Sequence, residues 1–167
     1  NFRKALGLNP GNFSAVMPVV SRMIKSNDIG RADDVLQKAL KLKPDHAGAL
    51  QALAQVRLLK NDWLGTQKVA DLIATKPHGE GFSKYLGGKI SQGQGFYEEA
   101  IEKYKLAVSI TPTLSDALKS MMVCYNALNK NSLMLDYLAV FMEKNTNNPY
   151  PLVLISEIYG VEKKWDD

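Results

Sequence analysis

The chain has 167 residues, 46% of them apolar and 23% charged, so it can bury a sizeable core, and no apolar run approaches the ~18 residues of a membrane-spanning helix. Twelve Gly and seven Pro exclude collagen and low-complexity linker, and a single cysteine, Cys124, excludes an internal disulfide framework and a cysteine-based zinc site. The net charge is +4 and uneven: residues 1–84 carry 13 basic and 7 acidic side chains, residues 85–167 carry 8 and 10. Only Arg3, Arg22, Arg31 and Arg57 are arginines, and the lysines are interleaved with acids. That pattern reads as solvated helix faces, so no nucleic-acid partner is expected. No basic segment followed by an apolar one marks a signal peptide.

In chain order, residues 1–12 (Phe2, Ala5, Pro10) read as the second helix of an incomplete unit. Four units follow, at 13–45, 46–78, 79–113 and 114–148, each predicted as two helices from apolar spacings such as Leu50, Leu53, Ala54 and Val56. Residues 149–167 read as the first helix of a fifth unit, ending at Trp165-Asp166-Asp167 where the next helix is due. Both ends are therefore expected to divide a repeat, with no polar capping helix at either. The whole chain, 1–167, is read as a single array.

The period comes from Asn27, Asn61, Gly95 and Asn129, each 34 residues from the next. All four tolerate positive φ, which a helix needs at its C-terminal cap before a tight turn. In step with them come Ala32, Thr66 and Ala100, then Leu36, Ala70, Tyr104 and Leu138, then Ala39, Ile73, Ala107 and Phe141. Small members of this series mark close helix approach, and Leu36 and Tyr104 fill the gap between units. Pro44 and Pro112 close the period, Pro77 stands one residue early, and one extra residue between Leu86 and Ala100 restores the register.

The run Gly95-Phe96-Tyr97-Glu98-Glu99-Ala100, with Tyr104, Ala107 and Pro112, resembles the tetratricopeptide repeat (TPR), as do Ala32, Leu36, Ala39 and Pro44. Leu86-Gly87 and Ile90 match the first-helix part of that motif. The resemblance implies an all-α fold, a right-handed superhelical solenoid of antiparallel helix pairs with about ten helices. Departures cluster at 129–149, where Met134 and Phe141 fill small-residue slots and Thr146 replaces the closing Pro; this unit is expected to pack less regularly. The texture of 133–159 is similar to long bacterial TPR arrays of envelope and exopolysaccharide-export systems, which points towards a bacterial cell envelope or periplasm, with cytoplasm as the alternative.

No catalytic constellation emerges, and neither a cofactor nor a metal is expected. His46 and His78 read as exposed turn residues one unit apart, too far for a shared metal. Cys124 reads as a packed thiol without a group to lower its pKa. Gly88-Lys89 is followed by Ile90 and lacks the spacing of a phosphate loop. Gly87 and Gly88 read as close helix packing, and Asp33-Asp34 and Glu98-Glu99 as first-turn partners of the helix dipole.

What remains is a surface. The resemblance implies that first helices line a concave groove, and the outward positions one turn apart on them are Met17 and Ser21, Gln51 and Gln55, Lys84, Gly88 and Ser91, Lys119 and Asn126, Tyr150 and Glu157. The partner-binding candidates are Ser21, Gln51, Gln55, Lys84, Lys119, Asn126 and Tyr150. The chaperone-tail subclass of the family grips a terminal carboxylate with Lys and Asn. Its pattern fails at Met17, Ser21, Ala52, Phe82 and Leu86, and again at Asp116 and Ser120. The expected function is a non-enzymatic scaffold for a protein or peptide, with an acidic segment favoured by the lysines. The alternatives are the interaction domain of a larger enzyme such as a TPR-fused glycosyltransferase, and a structural array self-associating through its ends.

Overall fold

The computed structural model describes residues 12–162. Residues 1–11 of the helix expected over 1–12 and the residues around Trp165 lie outside them. Nine helices and no strand occur among the described residues: α1 (Phe13–Lys25), α2 (Ile29–Leu42), α3 (Ala47–Leu59), α4 (Trp63–Ala74), α5 (Glu80–Gly93), α6 (Tyr97–Ile110), α7 (Ser115–Ala127), α8 (Asn131–Lys144) and α9 (Tyr150–Glu162). They divide into two compact units, α1–α4 before Glu80 and α5–α9 from Glu80 onward.

The 34-residue period is a backbone fact. Asn27, Asn61, Gly95 and Asn129 have φ of 58°, 55°, 85° and 55°. After each, the next N–H reaches back over one helical turn: Asp28 to Met23 at 2.8 Å, and Asp62 to Arg57, Phe96 to Ser91 and Lys130 to Tyr125 at 2.9 Å each. The cap residues themselves donate to Ile24, Leu58, Gln92 and Asn126. Together these are the two bonds of a Schellman cap, which satisfies the last carbonyls of each first helix. The side-chain amide of Asn and the missing Cβ of Gly make this left-handed conformation accessible.

In the first unit the core runs through Val16 and Val20 of α1, Ala32, Leu36 and Ala39 of α2, Leu50, Ala54 and Val56 of α3, and Val69 and Ala70 of α4, all buried. His46 departs from the exposed turn residue expected of it. It is half-buried and stacks on Phe13 with ring centroids 3.7 Å apart, and its Nδ1 accepts from the N–H of Ala49 as the N-cap of α3. His78 is exposed, with a positive φ of 58°. Beside it, Gly79 is obligatory for this turn, because a Cβ there would lie 1.8 Å from the carbonyl oxygen of Ile73.

In the second unit, α5 and α6 approach each other much more closely than α7 and α8 do. Side-chain volume explains it. Gly88, Ala100 and Ala107 line the α5/α6 contact, and 34 residues later the same slots hold Met122, Met134 and Phe141. A Cβ on Gly88 would meet the Tyr104 ring at 2.4 Å. Gly88 therefore occupies the small first-helix slot, twelve residues before Ala100, as Ala54 stands before Thr66 and Met122 before Met134. The extra residue expected between Leu86 and Ala100 stands earlier: α5 has 14 residues where α3 and α7 have 13, and in register with the caps the additional one is Glu80 at its start.

Ala100 and Ala107 are fully buried. Replacing Ala107 with Leu is expected to overpack α5 against α6 and cost ~1–3 kcal/mol, whereas Met134→Leu, which conserves volume, costs less than ~1.5 kcal/mol. Thermal unfolding of the two variants checks this; equal melting points would show that the α5/α6 contact is not the tight one.

Candidate functional site

Each first helix buries one face against its partner and leaves the opposite side to solvent. On α1, Ser21 is exposed, and Met17 is half-buried one turn before it. On α3, Gln51 and Gln55 are exposed and one turn apart, while Leu50, Ala54 and Leu53 point into the core. In the second unit Lys84, Lys119 and Asn126 are exposed and Tyr150 is half-buried. Lys119 and Asn126 are two turns apart, hence on one face of α7.

Two of the outward positions expected on α5 point inward. Gly88 is buried against Tyr104, and Ser91 is 2% exposed, its hydroxyl accepting from Lys103 Nζ at 2.9 Å. Counting ten residues back from each cap, the equivalents of Gln51 and Lys119 fall at Tyr85, and the equivalent of Gln55 at Lys89. Lys84 is exposed but one position ahead of this register. Tyr85 is half-buried, its ring 5.9 Å from that of Tyr104. Burial raises the Tyr85 phenol pKa, and the negative charge of Asp116 on α7 adds to that.

The ion pairs of this unit fall on and beside its second helices. On α6, Lys103 pairs with Glu99 at 2.6 Å and Lys105 with Glu102 at 2.8 Å, and Lys130, before α8, pairs with Glu98 at 3.4 Å. Lys84 and Lys119 on the first helices make no ion pair among the described residues. Their charge is not neutralised locally.

A cleft of ≈ 410 Å³ opens between α7 and α9, with the start of α8 behind it. Met122, Val123 and Ile158 give it apolar walls; Asn126, Asn131 and Glu157 supply polar groups. The cleft follows from the wide α7/α8 spacing set by Met122, Met134 and Phe141. Asn131 Nδ2 donates to Asn126 Oδ1 at 3.4 Å, while Asn131 Oδ1 is buried without a partner among the described residues. Asn126, exposed at the mouth of the cleft, keeps its own N–H groups to give. Tyr150 does not join this cleft. It packs on the core and lines a turn depression with Pro112, Ser115 and Lys144, and its N–H donates to Asn148 Oδ1 at 3.0 Å.

Groups that might have carried chemistry are packed away. Cys124 is buried, which pushes its thiol up to about 11. Tyr104 is fully buried, its phenol pushed far above the usual range by burial, with its O–H donating to Gln92 Oε1 at 2.6 Å. Asp33 and Asp34 correct an expectation, since neither lies in the first turn of α2. Asp33 is 5% exposed, and instead of serving the helix dipole it accepts from Lys60 Nζ at 2.7 Å, with Arg57 Nε 3.8 Å from its other oxygen. Glu98 and Glu99 do occupy the first turn of α6. No group of three His, Cys, Asp or Glu among the described residues could hold a metal, and no helix among them is long and apolar enough to cross a membrane.

No protein-family model matches the sequence, and no curated protein matches it. Solved structures do. A tetratricopeptide repeat protein from Parabacteroides merdae superposes with a TM-score of 0.71 at 14% identity, over 97% of this chain and 63% of that one. A thermophilic TPR protein of Thermus thermophilus gives 0.62 at 15% identity, over 92% and 84%. MamA of Desulfovibrio magneticus gives 0.58 at 20% identity, over 84% and 78%. The fold is that of the tetratricopeptide repeat. At such identities the likeness concerns backbone architecture alone, so the TPR surface has to be read from this chain's own side chains. The first-helix residues that sequence reasoning missed, Tyr85, Lys89, Met122 and Val123, and Asn131 at the start of α8, were reachable by counting from the caps. The buried, unpartnered oxygen of Asn131 was not, because it depends on how far α7 stands from α8.

Proposed function

We propose that this TPR chain is a non-enzymatic protein-interaction scaffold that holds an acidic, extended peptide on the first-helix face of its second unit. The observation that carries the reading is the ≈ 410 Å³ cleft beside Asn126, on the same helix as the unpaired Lys119. An apolar peptide side chain enters between Met122, Val123 and Ile158. The peptide backbone C=O accepts from the side-chain N–H groups of Asn126, which is exposed. Lys119, two turns before Asn126, attracts carboxylates, and Glu157 on the rim repels them, so the peptide's acids lie on the Lys119 side. Exposed Ser21, Gln51 and Gln55 on the first unit form a neutral polar patch that accepts backbone of any sequence.

Binding of dye-labelled peptides tests this. A peptide with Leu preceded or followed by Asp and Glu is expected to bind, and to weaken with added salt. Lys84→Glu combined with Lys119→Glu is expected to weaken it about tenfold or more, while Lys144→Glu on α8 leaves it unchanged. Equal binding of acidic and basic versions would reject the reading.

A second reading, self-association, is favoured by α9, which exposes Leu152, Val153 and Tyr159 at 56%, 47% and 52%. Sedimentation of the purified chain at several concentrations separates the two: a mass that does not rise with concentration removes self-association.

A further inference from the structure

The first unit carries a second groove, on the side of the second helices. α2 and α4 form its walls and α3 its floor, enclosing ≈ 370 Å³. Leu40, Leu50, Leu53 and Val69 make the bottom, and Leu72, 40% exposed, makes one lip. Lys41 on one wall and Lys68 on the other are exposed and make no ion pair among the described residues. No carboxylate lines the groove. The Arg57 guanidinium at its end is engaged, donating to the Gly65 carbonyl at 2.9 Å.

The equivalent positions of the second unit carry different side chains. Sixty-eight residues on, in step with the repeat, Val69 becomes Tyr137, Arg57 becomes Tyr125, Gln37 becomes Lys105, Lys41 becomes Ser109 and Lys68 becomes Asp136. There Tyr137 packs against the core and Lys105 lies over its ring, 5.9 Å from the centroid. Two large side chains in mutual contact thus stand where the first unit has Val69 and Gln37, and the two cations at the rim are lost. The two rim cations of the α2/α4 groove are therefore particular to the first unit.

From this we infer that the α2/α4 groove is a docking site for an acidic amphipathic helix of a partner protein, distinct from the first-helix face. Two parallel helical walls over an apolar floor match the ridges of a third helix laid between them. Its apolar stripe covers Leu72, 40% exposed, and packs on the outer edges of the buried Leu40, Leu53 and Val69, and Asp or Glu on its flanks meets Lys41 on one side and Lys68 on the other. An extended acidic peptide without such a stripe leaves the floor uncovered and binds less well.

The test uses a synthetic helix with Leu along one face and Glu flanking it, its counterpart with Lys in place of Glu, and the ¹⁵N-labelled full chain. The acidic helix is expected to shift the amide signals of Leu40, Leu53, Val69 and Leu72, and the basic one not. Val69→Tyr, which copies the second unit, is expected to abolish those shifts. Lys41→Glu combined with Lys68→Glu, both at exposed positions, is expected to reverse the preference between the two peptides while the helical content, followed by circular dichroism, is kept. Unchanged binding by that double variant, shifts confined to α5–α9, or concentration-dependent dimerisation through these same residues without peptide would each overturn the inference.

Discussion

Replacing Tyr104 with Ala is expected to cost about 3–5 kcal/mol, the range for a large aromatic removed from a core. Tyr104 is fully buried, and its ring fills the space left by Gly88 on one side and lies beside Tyr85 on the other. Truncation leaves a cavity that the neighbouring backbone cannot collapse into, because Gly88 has no side chain to extend. The hydroxyl adds a separate part, since it donates to Gln92 Oε1 at 2.6 Å. Tyr104→Phe removes that bond alone and is expected to cost ~1 kcal/mol. Urea unfolding of the three proteins separates the contributions, provided the slope stays constant. Similar midpoints for Ala and Phe would show that the ring does not carry the packing.

Asp33→Asn is expected to destabilise the first unit by ~1–3 kcal/mol near neutral pH, the cost of leaving hydrogen-bonded charges without their partner. Burial by itself pushes the Asp33 carboxyl up. The hydrogen bonds from Lys60 and Gln37, with the charges of Lys60 and Arg57, outweigh that and hold its pKa below the usual value. A carboxyl lowered on folding contributes stability that is present above its unfolded pKa of ~3.9 and is lost as pH falls through the folded value. The gap between wild type and Asp33→Asn is therefore expected to be full at about pH 6–7 and to close below about pH 4. Melting curves across that range test it; a gap constant with pH would mean that shape, not charge, holds α2 to α3.

The helices were legible because the signals for them are local. Asn27, Asn61, Gly95 and Asn129 are types that tolerate positive φ, and each stands where the chain turns. Ala100 and Ala107 announce close packing by size alone. Asp33 was misread because its partners are Arg57, on the next helix, and Lys60 just past its end, and two adjacent acids near a helix start look like dipole partners. His46 was misread for the same reason: its ring is covered by Phe13, which no local pattern reveals. On α5 the register was counted from Leu86-Gly87 when Gly88 holds the small slot, so Lys84 was taken in place of Tyr85. The clefts were out of reach, because they depend on how far side-chain volumes hold neighbouring helices apart.

The central claim is that the first helices carry the partner face of the second unit. Amide chemical-shift mapping on the ¹⁵N-labelled chain, titrated with a Leu-containing acidic peptide, tests it most directly. The account predicts shifts at Lys119, Val123, Asn126, Asn131 and Glu157, lost on Asn126→Ala combined with Lys119→Glu while the helical content is kept. Shifts concentrated on Lys103, Lys105 and Asp136 of the second helices, and unaffected by that double variant, would contradict it.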